Sequence, residues 1–258
     1  MKIRRIITAL LLLVFILGLY APTVSADNNA ICWYLKKNKN SAPDFPPNTD
    51  FLDSHSGYYI NKEASQSGEK VIYLTFDAGY ENGNIEKILD ILKKEDVPAA
   101  FFILSNLIIK NTDLVKRMHD EGHLVCNHTK NHKDMTTLTE NEVEKNLAAL
   151  ETLYEEKTGY TMEKYFRFPE GRYSEDRLAL CDKLGYKTFF WSVAYEDWDN
   201  AKQMSDVQAT KKLMTQIHPG AIILLHPTSQ TNVNILPTLI KTWREQGYRF
   251  GALSELVK

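Results

Sequence analysis

Four short stretches bring together the residue types needed to hydrolyse an amide. Asp77 in TFDAGYENG (75–83), the His128 and His132 pair in NHTKNH (127–132), Arg167 in RFPEGRYSE (167–175) and His226 closing ILLH (223–226) all follow apolar runs with strand character. Reactive groups placed where several strands run out into loops are how parallel β/α proteins assemble a site. Asp77, on the tight turn before Ala78-Gly79, could by itself be a turn or helix-capping aspartate. Near a metal and an arginine, its carboxylate stays ionised at neutral pH and can take a proton from water as a general base. His128 and His132 have a spacing that presents two imidazoles on the same side of a helical turn, where they can hold one divalent ion. Asn127, Thr129 and Asn131 can supply the outer hydrogen bonds that fix the imidazole tautomers.

Arg167 is expected at the same mouth as Asp77, keeping that carboxylate ionised and oriented; its plainer role would be a salt bridge on the rim. His226 finishes a buried apolar run and is followed by Pro227, so it can act as general acid with a neighbouring carboxylate such as Asp197 setting its charge. Trp198, Tyr80 and Arg172 are candidate substrate-binding residues around this mouth. HExxH is absent, which argues against a zincin-type protease. Cys32, Cys126 and Cys181 form no CxxC and are odd in number, so neither a thiolate zinc site nor a disulfide framework is expected.

To position these groups the chain needs parallel strands separated by helices. Strand-like runs occupy 71–76, 99–104, 124–127, 165–168, 188–193, 221–225 and 248–252. Ile85, Ile88, Leu89 and Leu92 form one helical stripe, and Val143, Leu147, Leu150 and Leu153 another. Thr139 with Glu142 makes a capping box at the start of the second helix and Gly159 marks its end, while Ser174 is a candidate cap for the next. The pattern predicts an α/β fold, a distorted (β/α) barrel of about seven parallel strands in a single domain. A flat doubly wound sheet is the alternative, but no glycine-rich phosphate loop follows the first strand.

The 258 residues are 43% hydrophobic and 25% charged, which suits one sizeable α/β domain. Net charge is −2 with basic residues dispersed, so nucleic acid is not an expected partner, and no obligatory protein partner is evident. Residues 1–26 read as a secretory signal: Lys2, Arg4 and Arg5, an apolar run from Ile6 to Leu19, then Val24-Ser25-Ala26. An uncleaved anchor is the alternative, although the run falls short of the ~20 residues that span a bilayer. Either way the catalytic part is expected outside the cytoplasm. Residues 27–70, with Pro43, Pro46 and Pro47, read as an irregular N-terminal arm packed on a domain over 71–258.

In their order, TFDAG, HTKNH, RFPEG, WSVAYEDW and LLH resemble the motifs of the polysaccharide deacetylases, the NodB-like carbohydrate esterases. The resemblance implies a distorted barrel and metal-dependent removal of acetyl groups from a glycan. By position it implies Asp77 as base, His128 and His132 as metal ligands, Arg167 as the residue orienting the base, and His226 as acid. The family usually carries a second aspartate, a metal ligand, where this chain has Ala78, so a divalent ion, zinc by this reading, would be held more weakly. TFDAGYENG, WSVAYEDW and the Trp33-Tyr34 arm further resemble the muramic δ-lactam-forming de-N-acetylases of spore formers. That implies N-acetylmuramic acid in a peptidoglycan strand as substrate, stripped of its stem peptide by an N-acetylmuramoyl-L-alanine amidase, with Arg172 or Arg167 pairing with the lactyl carboxylate. N-acetylglucosamine in peptidoglycan or chitin is the alternative substrate. Two other classes compete: a glycan-binding pseudoenzyme, prompted by Ala78, and a glycosidase using two of Asp77, Glu81, Glu170 and Asp197.

Overall fold

The computed structural model describes residues 30–36, 38, 41–47 and 49–257; the secretory segment expected over 1–26 lies outside them. Among the described residues no helix is long and apolar enough to cross a membrane. The strands are β1 (Ile31–Cys32), β2 (Gly57–Tyr58), β3 (Val71–Ala78), β4 (Ala99–Ile103), β5 (Leu124–Asn127), β6 (Glu163–Phe166), β7 (Arg172–Tyr173), β8 (Lys187–Phe189), β9 (Ala221–Leu225) and β10 (Arg249–Phe250). Every pairing within the main sheet is parallel. Its order is β10-β3-β4-β5-β6-β8-β2, with β9 also pairing with β3. Beyond β8 the chain crosses to β9, where Val193 bridges Ile223 in parallel, and this contact curls the sheet round towards closure. The seven expected strands are all present, and the fold is the distorted β/α barrel the pattern predicts.

Alternation along β3 separates the two faces. Ile72, Leu74, Phe76 and Ala78 join an outer apolar layer with Ile85, Ile88, Leu89 and Leu92 of the helix Ile85–Lys94. Val71 and Tyr73 join Ala100, Phe102, Cys126, Phe189 and Ile222 inside the barrel. Each fully buried Leu, Ile or Phe contributes about 1.5–3 kcal/mol, so a one-residue slip of β3, which would exchange the two sets, is strongly disfavoured. That alternation puts Thr75 and Asp77 on the same face as Tyr73. Parallel pairing then brings the ends of β3, β4, β5, β6 and β9 to one rim.

The helix Glu140–Thr158 begins at the Thr139–Glu142 capping box and ends on Gly159 at φ 82°, as the sequence indicates. Ser174 precedes the helix Glu175–Lys183 but does not cap it: its hydroxyl donates to Asp176 Oδ1 at 2.6 Å instead. The arm is more ordered than expected. It forms the helices Phe51–Ser54 and Lys62–Ser67, adds β2 beside β8, and pairs β1 antiparallel with β7. Trp33 anchors it, 5% exposed, stacked 4.6 Å from Phe190 and donating from Nε1 to the Trp191 carbonyl at 2.9 Å.

Candidate active site

Asp77 sits near the end of β3 with its carboxylate held from below. Arg167, just past β6 and fully buried, donates from Nη1 to Asp77 Oδ1 at 2.8 Å and to Thr75 Oγ1 at 2.9 Å. Its Nε and Nη2 donate to the Phe189 and Phe190 carbonyls, and its guanidinium lies 4.1 Å from the Phe102 ring centre. The cation is thereby fixed on all sides. Burial would raise the Asp77 carboxyl, but Arg167 above all, with His128 and His226, outweighs it and holds the group below the usual carboxylate range. The carboxyl is therefore ionised at neutral pH.

His128 and His132 do meet, with ring centres 5.0 Å apart, but not on a helical turn. The segment is a loop in which Thr129 (φ 76°) and His132 (φ 58°) are left-handed. Asn127 Oδ1 accepts from the Thr129 amide at 2.9 Å, and Thr129 Oγ1 accepts from the His132 amide at 2.9 Å. These local bonds hold a conformation that costs of order 1–3 kcal/mol per residue, a cost often found at functional sites. The tautomer of His128 is set by a partner outside the loop: Nδ1 donates to the Arg167 carbonyl at 2.9 Å, since a carbonyl can only accept. Nε2 is then unprotonated and lies 3.6 Å from Asp77 Oδ2. Burial pulls His128 down to about 4, so the ring is neutral at pH 7 and available to a metal.

His226 follows β9. Asp197, fully buried, accepts from His226 Nδ1 at 2.7 Å through Oδ1 and from the His226 amide at 2.7 Å through Oδ2. Burial alone would lower His226, but the hydrogen bond and charge of Asp197, with Asp77, raise it above its ordinary value of 6.5. Because Nδ1–H is committed to Asp197, Nε2 is the nitrogen left for the cavity that His226 lines.

That cavity, of about 500 Å³, is bounded by Asp77, His132, Glu170, Trp191, Trp198 and His226 among others. It brings the expected base, one imidazole of the pair and the expected acid to one space, with exposed Trp198 on its edge. Tyr80 is exposed but does not line it. Arg172 does not line it either, and is paired with Asp134 at 3.0 Å. Arg167 has no exposed surface and four hydrogen bonds of its own, so it cannot receive a substrate carboxylate as the sequence reading allowed. Sequence reasoning did not pick out Thr75, Tyr195 or Asn232, whose roles depend on contacts across the barrel. It weighed Glu170 only as a glycosidase carboxylate. Here Glu170 lies in a left-handed turn (φ 58°) against the cavity, and its side chain has no hydrogen-bond or ion-pair partner among the described residues.

The polysaccharide deacetylase family model matches residues 64–189. An uncharacterised 30.6 kDa protein of Geobacillus stearothermophilus is 42% identical over 237 residues, 91% of this chain and 88% of that one. The peptidoglycan-N-acetylmuramic acid deacetylase PdaA of Bacillus subtilis is 36% identical over 246 residues, 95% of this chain and 92% of its own. The chain belongs to the polysaccharide deacetylase family. The solved structure of B. subtilis PdaA, a family 4 carbohydrate esterase, superposes with a TM-score of 0.84, covering 89% of this chain and 97% of that one. The protein is therefore a hydrolase of the family whose members remove acetyl groups from glycans, generally with a divalent metal.

The residues fit such an ion through two protein donors, His128 and His132. Among the described residues no group of three or more His, Cys, Asp or Glu side chains is arranged to hold a metal. Ala78, where the sequence resemblance implies a further ligand, is fully buried in the outer apolar layer.

Proposed function

We propose that this protein hydrolyses the acetamide of N-acetylmuramic acid in peptidoglycan outside the cytoplasm. The observation that carries amide hydrolysis is the pairing, around one cavity, of a carboxylate bonded to Arg167 with an imidazole whose Nδ1 is bonded to Asp197. Asp77 takes a proton from water as the water oxygen attacks the acetamide carbonyl carbon. His226 then delivers its Nε2 proton to the nitrogen as the C–N bond breaks, leaving acetate and a free amine. His128 and His132 are the residues that would hold a divalent ion, zinc by this reading, which when bound polarises the acetamide carbonyl oxygen. Exposed Trp198 offers a face on which a sugar ring can stack.

The muramic assignment rests on similarity to PdaA over nearly the whole chain. It carries with it prior removal of the stem peptide by an amidase, and closure of the new amine on the lactyl carboxyl to a δ-lactam, favoured by proximity. One observation favours N-acetylglucosamine as a second reading: among the described residues the cavity is lined by the unpaired carboxylate of Glu170 and by no lysine or arginine. The glycosidase reading lacks a second available carboxylate to pair with Glu170. Glu81 caps the helix Ile85–Lys94 by accepting from the Ile85 amide at 3.0 Å, Asp197 is committed to His226, and Asp77 is held below the carboxylate range.

The test is to expose residues 27–258 to peptidoglycan with and without amidase stripping and to follow acetate and glycan mass. Acetate with lactam only on stripped glycan supports the muramic reading. Acetate lost from glucosamine supports the second, and new reducing ends without acetate would refute both.

A further inference from the structure

The helix Gln230–Glu245 starts beside the proton donor, and its first turn contains an asparagine with 1% exposure. Asn232 Nδ2 donates to Asp197 Oδ2 at 2.6 Å and to the His226 carbonyl at 3.0 Å, while its Oδ1 accepts from the Tyr195 hydroxyl at 2.5 Å. A carboxylate and a carbonyl can only accept, so a single amide orientation serves all three contacts. The helix cap fixes the backbone beneath it, because Ser229 Oγ accepts from the Asn232 amide at 3.2 Å. Gln203 ties down the Asp197 loop by donating to the Asp197 and Asp199 carbonyls, both at 2.9 Å. Asp197 therefore has one carboxylate oxygen on the imidazole and the other shared by a backbone amide and Asn232. Without Asn232, a buried anionic oxygen loses a charge-assisted hydrogen bond and the carboxylate gains freedom to rotate.

We propose that Asn232 is a positioning residue for the proton donor: it locks the rotation of Asp197 that presents Oδ1 to His226 Nδ1, and so aims His226 Nε2–H at the departing nitrogen. This rests on the reading of His226 as general acid. The other charged groups acting on His226 are Asp77 and Arg167, neither of which touches Asn232. A residue acting only through proton delivery should matter when the leaving group needs a proton and not when it does not.

The experiment compares wild type, Asn232→Ala and His226→Ala on an N-acetylated amino-sugar oligomer and on 4-nitrophenyl acetate, whose nitrophenolate departs unprotonated. Asn232→Ala should lower kcat on the amide roughly 10–10²-fold, short of the full general-acid contribution of about 10²–10⁴. KM should be unchanged and ester hydrolysis nearly intact. Tyr195→Phe, which removes the hydroxyl that donates to Asn232 Oδ1 and keeps the ring that lines the cavity, should show the same pattern more weakly and serves if Asn232→Ala fails to fold. In nitrogen-15 spectra the low-field Nδ1–H signal of His226 should be displaced or lost in Asn232→Ala. Equal losses on both substrates, or an unchanged Nδ1–H signal, would overturn the positioning role. If His226→Ala itself shows no leaving-group selectivity, the general-acid reading fails first, and this inference with it.

Discussion

Arg167→Met removes the cation hydrogen-bonded to the Asp77 carboxylate while keeping a side chain of comparable length. Arg167 is fully buried, and its Nη1 lies 2.8 Å from Asp77 Oδ1. Breaking a buried ion pair by removing one partner costs about 3–5 kcal/mol, because the remaining charge is stranded. For a domain of this size each kcal/mol shifts the midpoint of thermal unfolding by roughly 2–4 °C, so the variant should melt about 6–20 °C lower. Catalysis changes in a way that lost packing alone would not produce. Burial is the largest influence on Asp77 and acts upward, so without Arg167 its pKa must rise. In wild type its contribution to stability is present above the ordinary 3.8 and lost as pH falls through the depressed value. The variant should lose that contribution, and the acid limb of its kcat/KM profile should move to higher pH. The alkaline limb, set by His226 deprotonating above 6.5, should move the same way but less, because Arg167 is the last of the influences on His226 and acts to lower it. Differential scanning fluorimetry and acetate release across pH measure both effects. A melting point within a few degrees of wild type together with an unmoved acid limb would refute the reasoning.

Glu170→Gln removes the unpaired charge from the cavity wall, and should raise acetate release from lactyl-bearing muramic residues relative to glucosamine residues; mass analysis of mixed glycan products gives the ratio. Trp33→Ala deletes the buried anchor of the arm, a change worth about 3–5 kcal/mol for a large aromatic. It should also lower activity, since the Trp33 amide donates to the Gly171 carbonyl at 2.8 Å beside Glu170; melting and acetate assays check it. Chelation should reduce activity and added divalent ion restore it, and zinc calorimetry should show weaker binding to His132→Ala than to wild type.

The strands were legible because apolar runs bounded by polar loops leave little choice of period, and because inward and outward faces of β3 alternate without interruption. Asp77, Arg167 and His226 were legible because each closes or follows such a run. The loop at Thr129–His132 was misread as a helical turn because i, i+4 spacing does not report φ, and here two side-chain-to-backbone bonds select left-handed residues. Arg172 and Tyr80 looked suitable by charge and ring, yet their surroundings are set by Asp134 and by solvent. Asn232 left no local signal, since the side chains it bonds, Asp197 and Tyr195, are 35 and 37 residues away. The short strand β2 was hidden in the arm because two residues carry no period.

The central claim is that Asp77 and His226 transfer the protons of amide hydrolysis. The most direct measurement is the rate of acetate release from amidase-stripped peptidoglycan by Asp77→Asn and His226→Ala at saturating divalent ion. The account predicts losses of roughly 10²–10⁴-fold for each with the fold intact; near-wild-type rates in either would contradict it.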